Sequence, residues 1–172
     1  MRKILVVVDM QNDFIDGALG SAEAVSIVDA VAKRVAEFSG EVIFTRDTHY
    51  EDYLSTSEGK KLPVKHCIKG TDGWQITSII KVPDGAKIFD KETFGSVALC
   101  EELKNENAES EISEIEIVGL CTDICVISNA FLLKAFLPEC EITVNSALCR
   151  GVTDESHRKA LSAMEACQIK VF

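Results

Sequence analysis

Ile115-Glu-Ile-Val-Gly-Leu-Cys-Thr-Asp-Ile-Cys125-Val126 is the stretch whose reading decides the fold. Residues 115–118 form a short apolar strand that breaks at Gly119, and after a turn the chain enters a helix at or near Cys125. Val126, Ala130, Leu133 and Leu137 then recur at i, i+4, i+7 and i+11, one face of a 3.6-residue period. Thr122 and Asp123 are natural N-cap residues for that helix. A thiol in the first turn sits near unpaired N–H groups and the positive end of the helix dipole, a setting that favours a thiolate. The same pattern also suits a small apolar residue packed at a helix start, so the rest of the chain must decide.

Outward from this stretch, strands alternate with helices. Residues 3–8 are a continuous apolar run, as in a strand buried on both faces. The run ends in Asp9-Met-Gln-Asn-Asp-Phe14. A helix follows, with Ala24, Val28, Val31, Ala32 and Val35 on one face and Gly40 at its end. Residues 41–45 read as a second strand and 86–90 as a third, closing on Lys91. Residues 74–80 read as a short helix, 97–105 as another, and 106–114 as an acidic connector. Residues 141–144 and 169–172 complete six strands, and a helix opened by Asp154 turns Ala160, Leu161, Met164 and Cys167 inward. This order predicts a single α/β domain over residues 1–172, a doubly wound six-stranded parallel sheet with helices on both faces.

Composition narrows the function. The chain has 172 residues, a net charge of -10 and 47% hydrophobic content, which argues for a globular protein and against nucleic-acid or anionic-membrane partners. Residues 4–8 are too short for a secretory or membrane segment. Seven cysteines without repeating spacing fit reduced thiols in the cytoplasm. Cys121 and Cys125 form C-x3-C, not a C-x2-C redox motif.

In a parallel sheet, ligands bind beyond the carboxyl ends of the strands. Asp9, Asp47, Lys91 and Cys125 all fall there. A carboxylate can take the thiol proton and an ammonium can hold both anions, so Asp9, Lys91 and Cys125 suit attack on an acyl or amide carbon. Backbone N–H groups of the turn between Leu120 and Cys125 can receive the oxyanion. Taken singly, Asp9 also reads as a turn aspartate and Lys91 as a surface lysine. Residues 46–73 form a long irregular stretch, and such stretches are often functional. Asp47, His49, Glu58 and His66 along it suit Zn²⁺, Fe²⁺ or Mn²⁺, and equally suit a solvated polar loop. Arg46 beside Asp47 can form a local ion pair. Phe14 and Trp74 are candidate walls for a flat ring, or core residues, and His157 reads as a surface residue.

The segments Asp9-Met-Gln-Asn-Asp-Phe14, Asp47-Thr-His49, Lys91-Glu-Thr-Phe-Gly-Ser96 and Gly119-Leu-Cys-Thr-Asp-Ile-Cys-Val126 together resemble the signatures of the isochorismatase-like cysteine hydrolases. Within that group the chain is most similar to nicotinamidases, which deamidate nicotinamide to nicotinate and ammonia in pyridine-nucleotide salvage. The resemblance implies that Cys125 is the nucleophile, Asp9 the general base and acid, and Lys91 their electrostatic partner. It also implies a cis Leu120–Cys121 peptide, with the N–H groups of Cys121 and Cys125 as the oxyanion hole. It further implies a divalent metal, zinc before iron or manganese, on Asp47, His49 and His66, joined by Glu58, which holds the pyridine nitrogen. Phe14 and Trp74 would sandwich the ring, with Ile124 shaping the pocket where the family often has an aromatic residue. Cys121 stands where the family often has alanine.

Four readings follow: a nicotinamide amidohydrolase; a metal-independent relative acting on another amide, ureido or vinyl-ether substrate; a non-catalytic binding protein; and a phospho-acceptor module using Asp9. Retention of Asp9, Lys91 and Cys125 favours a hydrolase of a small molecule. A homo-oligomer is compatible with the sequence.

Overall fold

A computed structural model describes residues 2–172. The chain begins with β1 (Arg2–Val8), α1 (Asn12–Ile15), α2 (Ala22–Glu37), β2 (Glu41–Asp47), α3 (Ser57–Lys61) and β3 (Lys87–Lys91). It continues with α4 (Val97–Glu109), β4 (Ile112–Leu120), α5 (Ile127–Phe136), β5 (Glu141–Arg150), α6 (Asp154–Ala166) and β6 (Lys170–Val171). The six strands form one sheet in the order β3-β2-β1-β4-β5-β6, and every neighbouring pair is parallel. The expected doubly wound α/β architecture is therefore present.

The alternation of side chains along β1 explains why both faces need cover. Ile4, Val6 and Val8 point to one side, where they join Ile115 and Ile117 of β4 with Leu99, Leu103, Ala130, Leu133 and Met164 from α4, α5 and α6. Leu5 and Val7 point to the other, with Phe44, Val118 and Ala24, Ile27, Val28, Val31 and Val35 of α2. Each such side chain contributes about 1.5–3 kcal/mol when fully buried, so a charge at Val6 would break the sheet at its centre. Ser21 caps α2 through its hydroxyl, which accepts the Ala24 N–H at 3.0 Å.

The strand order reverses direction between β1 and β4, the switch point at which such sheets open a crevice. Gly119 makes their close approach possible. Its φ is +119°, and a Cβ there would lie 2.1 Å from the Val8 carbonyl oxygen. The Leu120–Cys121 peptide that follows is cis.

Several local expectations are corrected. Residues 74–80 run as turns rather than a helix, because their backbone pairs with the segment after β1. Thr77 N–H donates to Met10 O, and Asn12 N–H to Gln75 O. Helicity falls earlier, in the 3₁₀ turn Tyr53–Ser55 and in α3, inside the stretch read as irregular. The acidic connector is instead the end of α4 and the start of β4. Glu102 and Glu106 pair with Lys87, and Glu106 also with Arg2 at 2.6 Å. Ala160 and Met164 of α6 are buried, but Cys167, just past its end, is exposed. Among the described residues, no helix is long and apolar enough to cross a membrane.

Candidate active site

The sheet places Asp9, Lys91 and Cys125 together. Asp9 follows β1 directly and has φ +47°, a left-handed conformation in which its N–H donates to Thr45 O at 3.2 Å. The Thr45 hydroxyl donates to Asp9 Oδ1 at 2.6 Å. Lys91 ends β3, with Nζ 2.7 Å from Asp9 Oδ2, 3.4 Å from Cys125 Sγ and 3.5 Å from Asp47 Oδ1. The 2.7 Å contact is an ion pair without hydrogen-bond alignment, so the buried Asp9 Oδ2 keeps its acceptor capacity.

Burial sets the electrostatics of this group. It pushes the Asp9 carboxyl above its ordinary pKa, against the downward pull of Lys91. It also pushes the Cys125 thiol well up, aided by the negative charge of Asp9 and opposed by Lys91. For Lys91, burial is more than offset by Asp9, Cys125 and Asp47, and the ammonium stays protonated. The pull of the helix start toward a thiolate is thus opposed by burial, which favours the neutral thiol beside the Asp9 carboxyl.

The local backbone also differs from a simple helix start. Residues Thr122–Val126 form a π turn ahead of α5, and Ile124 N–H and Val126 N–H both donate to Cys121 O, at 3.1 and 3.0 Å. Thr122 and Asp123 cap nothing. The Thr122 hydroxyl shares a 2.8 Å hydrogen bond with Nδ1 of His157, and the Asp123 carboxylate accepts the Val152 N–H at 3.1 Å. His157 is accordingly half-buried rather than a free surface residue.

Beside this group lie Asp47, His49, Glu58 and His66, whose ligand atoms all fall within 4.8 Å of one another. Asp47 Oδ2 is 2.8 Å from His49 Nε2 and 3.5 Å from His66 Nε2, and Glu58 Oε1 is 3.6 and 3.8 Å from the same nitrogens. His66 Nδ1 lies 2.8 Å from the Val64 carbonyl, which fixes that nitrogen as the donor and leaves Nε2 its lone pair. Burial opposes charge on Asp47, but the adjoining His49 and His66 imidazoles and the Lys91 ammonium hold its pKa below the ordinary carboxylate range. The buried His49 Nε2 has no hydrogen-bond partner of good geometry, which is costly for a polar atom and natural for a metal ligand. The donors fit a divalent metal. Arg46 pairs with Asp90 at 2.8 Å, not with Asp47.

Both groups open into a cavity of about 620 Å³ that also exposes Phe14, Leu19, Leu62, Phe94, Cys121, Ile124 and Val152. The expectation for Trp74 as a ring wall is corrected. Its ring is buried outside the cavity, its N–H donates to the Thr48 hydroxyl at 2.9 Å, and the Arg46 guanidinium lies 3.6 Å from its centroid.

Comparison with known proteins matches the Isochorismatase domain to residues 3–172. The chain belongs to the isochorismatase family of hydrolases. A nicotinamidase/pyrazinamidase of Mycobacterium tuberculosis is 26% identical over 74% of this chain and 76% of its own. The structure of a Pyrococcus horikoshii pyrazinamidase in complex with zinc superposes with a TM-score of 0.86 at 26% identity, covering 100% and 99% of the two chains. An N-carbamoylsarcosine amidase from Thermoplasma acidophilum reaches 0.82 at 26% identity, covering 99% and 95%.

Four residues of this isochorismatase-family site went unnoticed in the sequence. Gln11 grips Asp47 by its backbone, donating to Asp47 O at 2.8 Å and accepting Asp47 N–H at 2.7 Å, and it also donates to Trp74 O. Tyr53 packs on both histidines, with centroids 4.6 Å from His49 and 5.1 Å from His66. Asn129 is fully buried; it accepts the Ser96 N–H at 2.9 Å and donates to Cys125 O at 2.8 Å and Phe94 O at 3.2 Å. Phe94 itself was quoted within a motif but not assigned a place. A buried amide four residues after Cys125, on the helix face that carries Val126 and Ala130 nearby, was the one available signal for Asn129.

Proposed function

We propose that the protein is a cysteine amidohydrolase that converts nicotinamide to nicotinate and ammonia. The observation that carries this reading is the single carboxylate of Asp47. One oxygen lies 3.5 Å from the Lys91 ammonium and the other 2.8 Å from His49, so a metal-donor set and a thiol–acid–ammonium set share one cavity floor. A pyridine with a carboxamide on a neighbouring edge matches that pairing, offering a ring nitrogen to one set and an amide carbon to the other.

In the proposed chemistry, Asp9 takes the Cys125 proton as Sγ adds to the amide carbon, and Lys91 stays cationic between them. The N–H groups of Cys121 and Cys125 receive the oxyanion. Asp9 returns the proton to the nitrogen, the C–N bond breaks, and ammonia leaves a thioester on Cys125. Asp9 then deprotonates water as it adds to the thioester carbon, and the C–S bond breaks to give nicotinate and the thiol. A divalent metal on Asp47, His49, Glu58 and His66, zinc by analogy with the Pyrococcus relative, would supply a Lewis acid for the ring nitrogen. Phe14 and Ile124 flank the ring and orient the amide.

A metal-independent amidase of a ureido substrate is the second reading, favoured by the likeness to the N-carbamoylsarcosine amidase and opposed by the buried donor cluster. The test is ammonia release from nicotinamide by reduced protein of measured metal content, with Cys125→Ala in parallel. Release by the parent alone supports the proposal. No release from a folded, metal-loaded parent overturns it, and a panel of ureido acids then tests the second reading.

A further inference from the structure

The cavity is chemically divided. Asp47, His66 and Cys125 form its buried end, whereas Leu62, Phe94 and Val152, 39%, 45% and 65% exposed, stand at its open end beside the exposed polar side chains of Ser57, Lys61, Glu92 and Thr93. Apolar side chains gathered around one opening mark a ligand surface more often than chance exposure. Their backbones are held, not loose. Asn129 donates to Phe94 O at 3.2 Å and accepts the Ser96 N–H at 2.9 Å, Thr93 donates to Gly95 O at 2.7 Å, and Asp123 accepts the Val152 N–H at 3.1 Å. Anchoring of this kind lowers the ordering cost of binding. At about 620 Å³ the cavity is of a size that encloses a drug-sized ligand, and one pyridine with one amide leaves its outer part empty.

From this division we infer an outer apolar subsite, built by Leu62, Phe94 and Val152, that takes an alkyl or aryl group carried on the ring of the carboxamide substrate. The inference rests on the nicotinamide reading. The ring's own geometry says which carbon bears the group. In nicotinamide the ring nitrogen and the amide-bearing carbon both flank C2. With the nitrogen toward the donor cluster and the amide toward Cys125, C2 faces the buried floor. C5 lies directly across the ring and points to the opening.

The experiment measures kcat/KM of the reduced, metal-loaded protein for nicotinamide, 5-propylnicotinamide and 5-(2-hydroxyethyl)nicotinamide. Each fully buried methylene is worth about a fourfold gain. A partly open subsite is therefore expected to favour the propyl compound about tenfold over nicotinamide, with the hydroxyethyl compound near nicotinamide itself. In Phe94→Ser and Val152→Ser the ratio of propyl to parent kcat/KM should fall toward one, a ratio that is independent of how much of each variant is active. Hydrolysis of nicotinamide with a propyl compound no better overturns the subsite and leaves the nicotinamidase reading standing. An equal gain from the hydroxyethyl compound also overturns it, since room rather than apolar contact would then be responsible. Hydrolysis of none of the three overturns both.

Discussion

The two halves of the cavity floor are built by different means. Asp9, Lys91 and Cys125 hang from or just beyond the ends of β1, β3 and β4, so the sheet's register sets their spacing. Asp47 and Lys91 are direct partners across β2 and β3. His49, Glu58 and His66 come from a connecting stretch whose shape depends on side chains: Tyr53 packed on two imidazoles, the Val64 carbonyl holding one ring, and Asp13 accepting the Cys67 N–H at 2.7 Å. The nucleophilic half should therefore respond to changes in chemistry and tolerate changes in packing. The donor half should respond to packing.

The largest expected effect is that of Cys125→Ala, a loss of at least about 10³-fold in ammonia release with the melting temperature nearly unchanged. Retention of more than a few per cent of the activity would remove the thiol from the chemistry. Next, Asp9→Asn should lower kcat by about 10²–10⁴-fold with little change in KM. Asp9 must begin as a carboxylate, and burial raises its pKa. Activity should thus fall with acid at a pH above the ordinary carboxylate range, and a pH–rate profile with its acid limb at the ordinary value would contradict this assignment.

The donor half gives the third test. Tyr53→Leu should weaken metal affinity about 10–100-fold in a chelator competition, whereas Tyr53→Phe, which keeps the ring, should change it little. Equal affinities for parent and Tyr53→Leu would mean that packing does not shape the site. Asn129→Ala comes fourth, since it strands a buried N–H and two carbonyls, at about 1–3 kcal/mol in denaturant unfolding. The smallest effect is expected for Trp74→Phe, which loses one buried hydrogen bond worth about 1 kcal/mol and should leave KM for nicotinamide within about threefold. A tenfold rise in KM would return Trp74 to the ring.

The same contrast explains what could be read from the chain alone. Residues 3–8 and 115–118 announce buried strands through runs rich in β-branched residues, with Asp9 directly after the first and Cys125 one turn beyond the second. Alternation and termination are local signals. The course of residues 46–80 is not local. α3 is only five residues long and begins at a Thr56 cap whose hydroxyl accepts the Gly59 N–H, too short for periodicity to show. Residues 74–80 have helix-compatible residues, but hydrogen bonds to Met10 and Asn12 override them. Trp74 looks like a ring wall because it is a lone indole in a polar stretch; only the fold reveals that Arg46 and Thr48 already occupy it. Glu106 resembles a solvated connector residue until Lys87 and Arg2 arrive from elsewhere in the sheet.

Gly119 carries a consequence for how such a site can diversify. Its hydrogen faces the Val8 carbonyl immediately before Asp9, at a point where any carbon would collide with the neighbouring strand. The spacing of β1 and β4 just before Asp9 and Cys121 is therefore set by an absent side chain, and a substitution at that position would prise the central strands apart. Inheritance of new substrates in this scaffold has to proceed from the rim inward, through residues such as Phe94, Ile124 and Val152, while the reacting centre stays at one gauge.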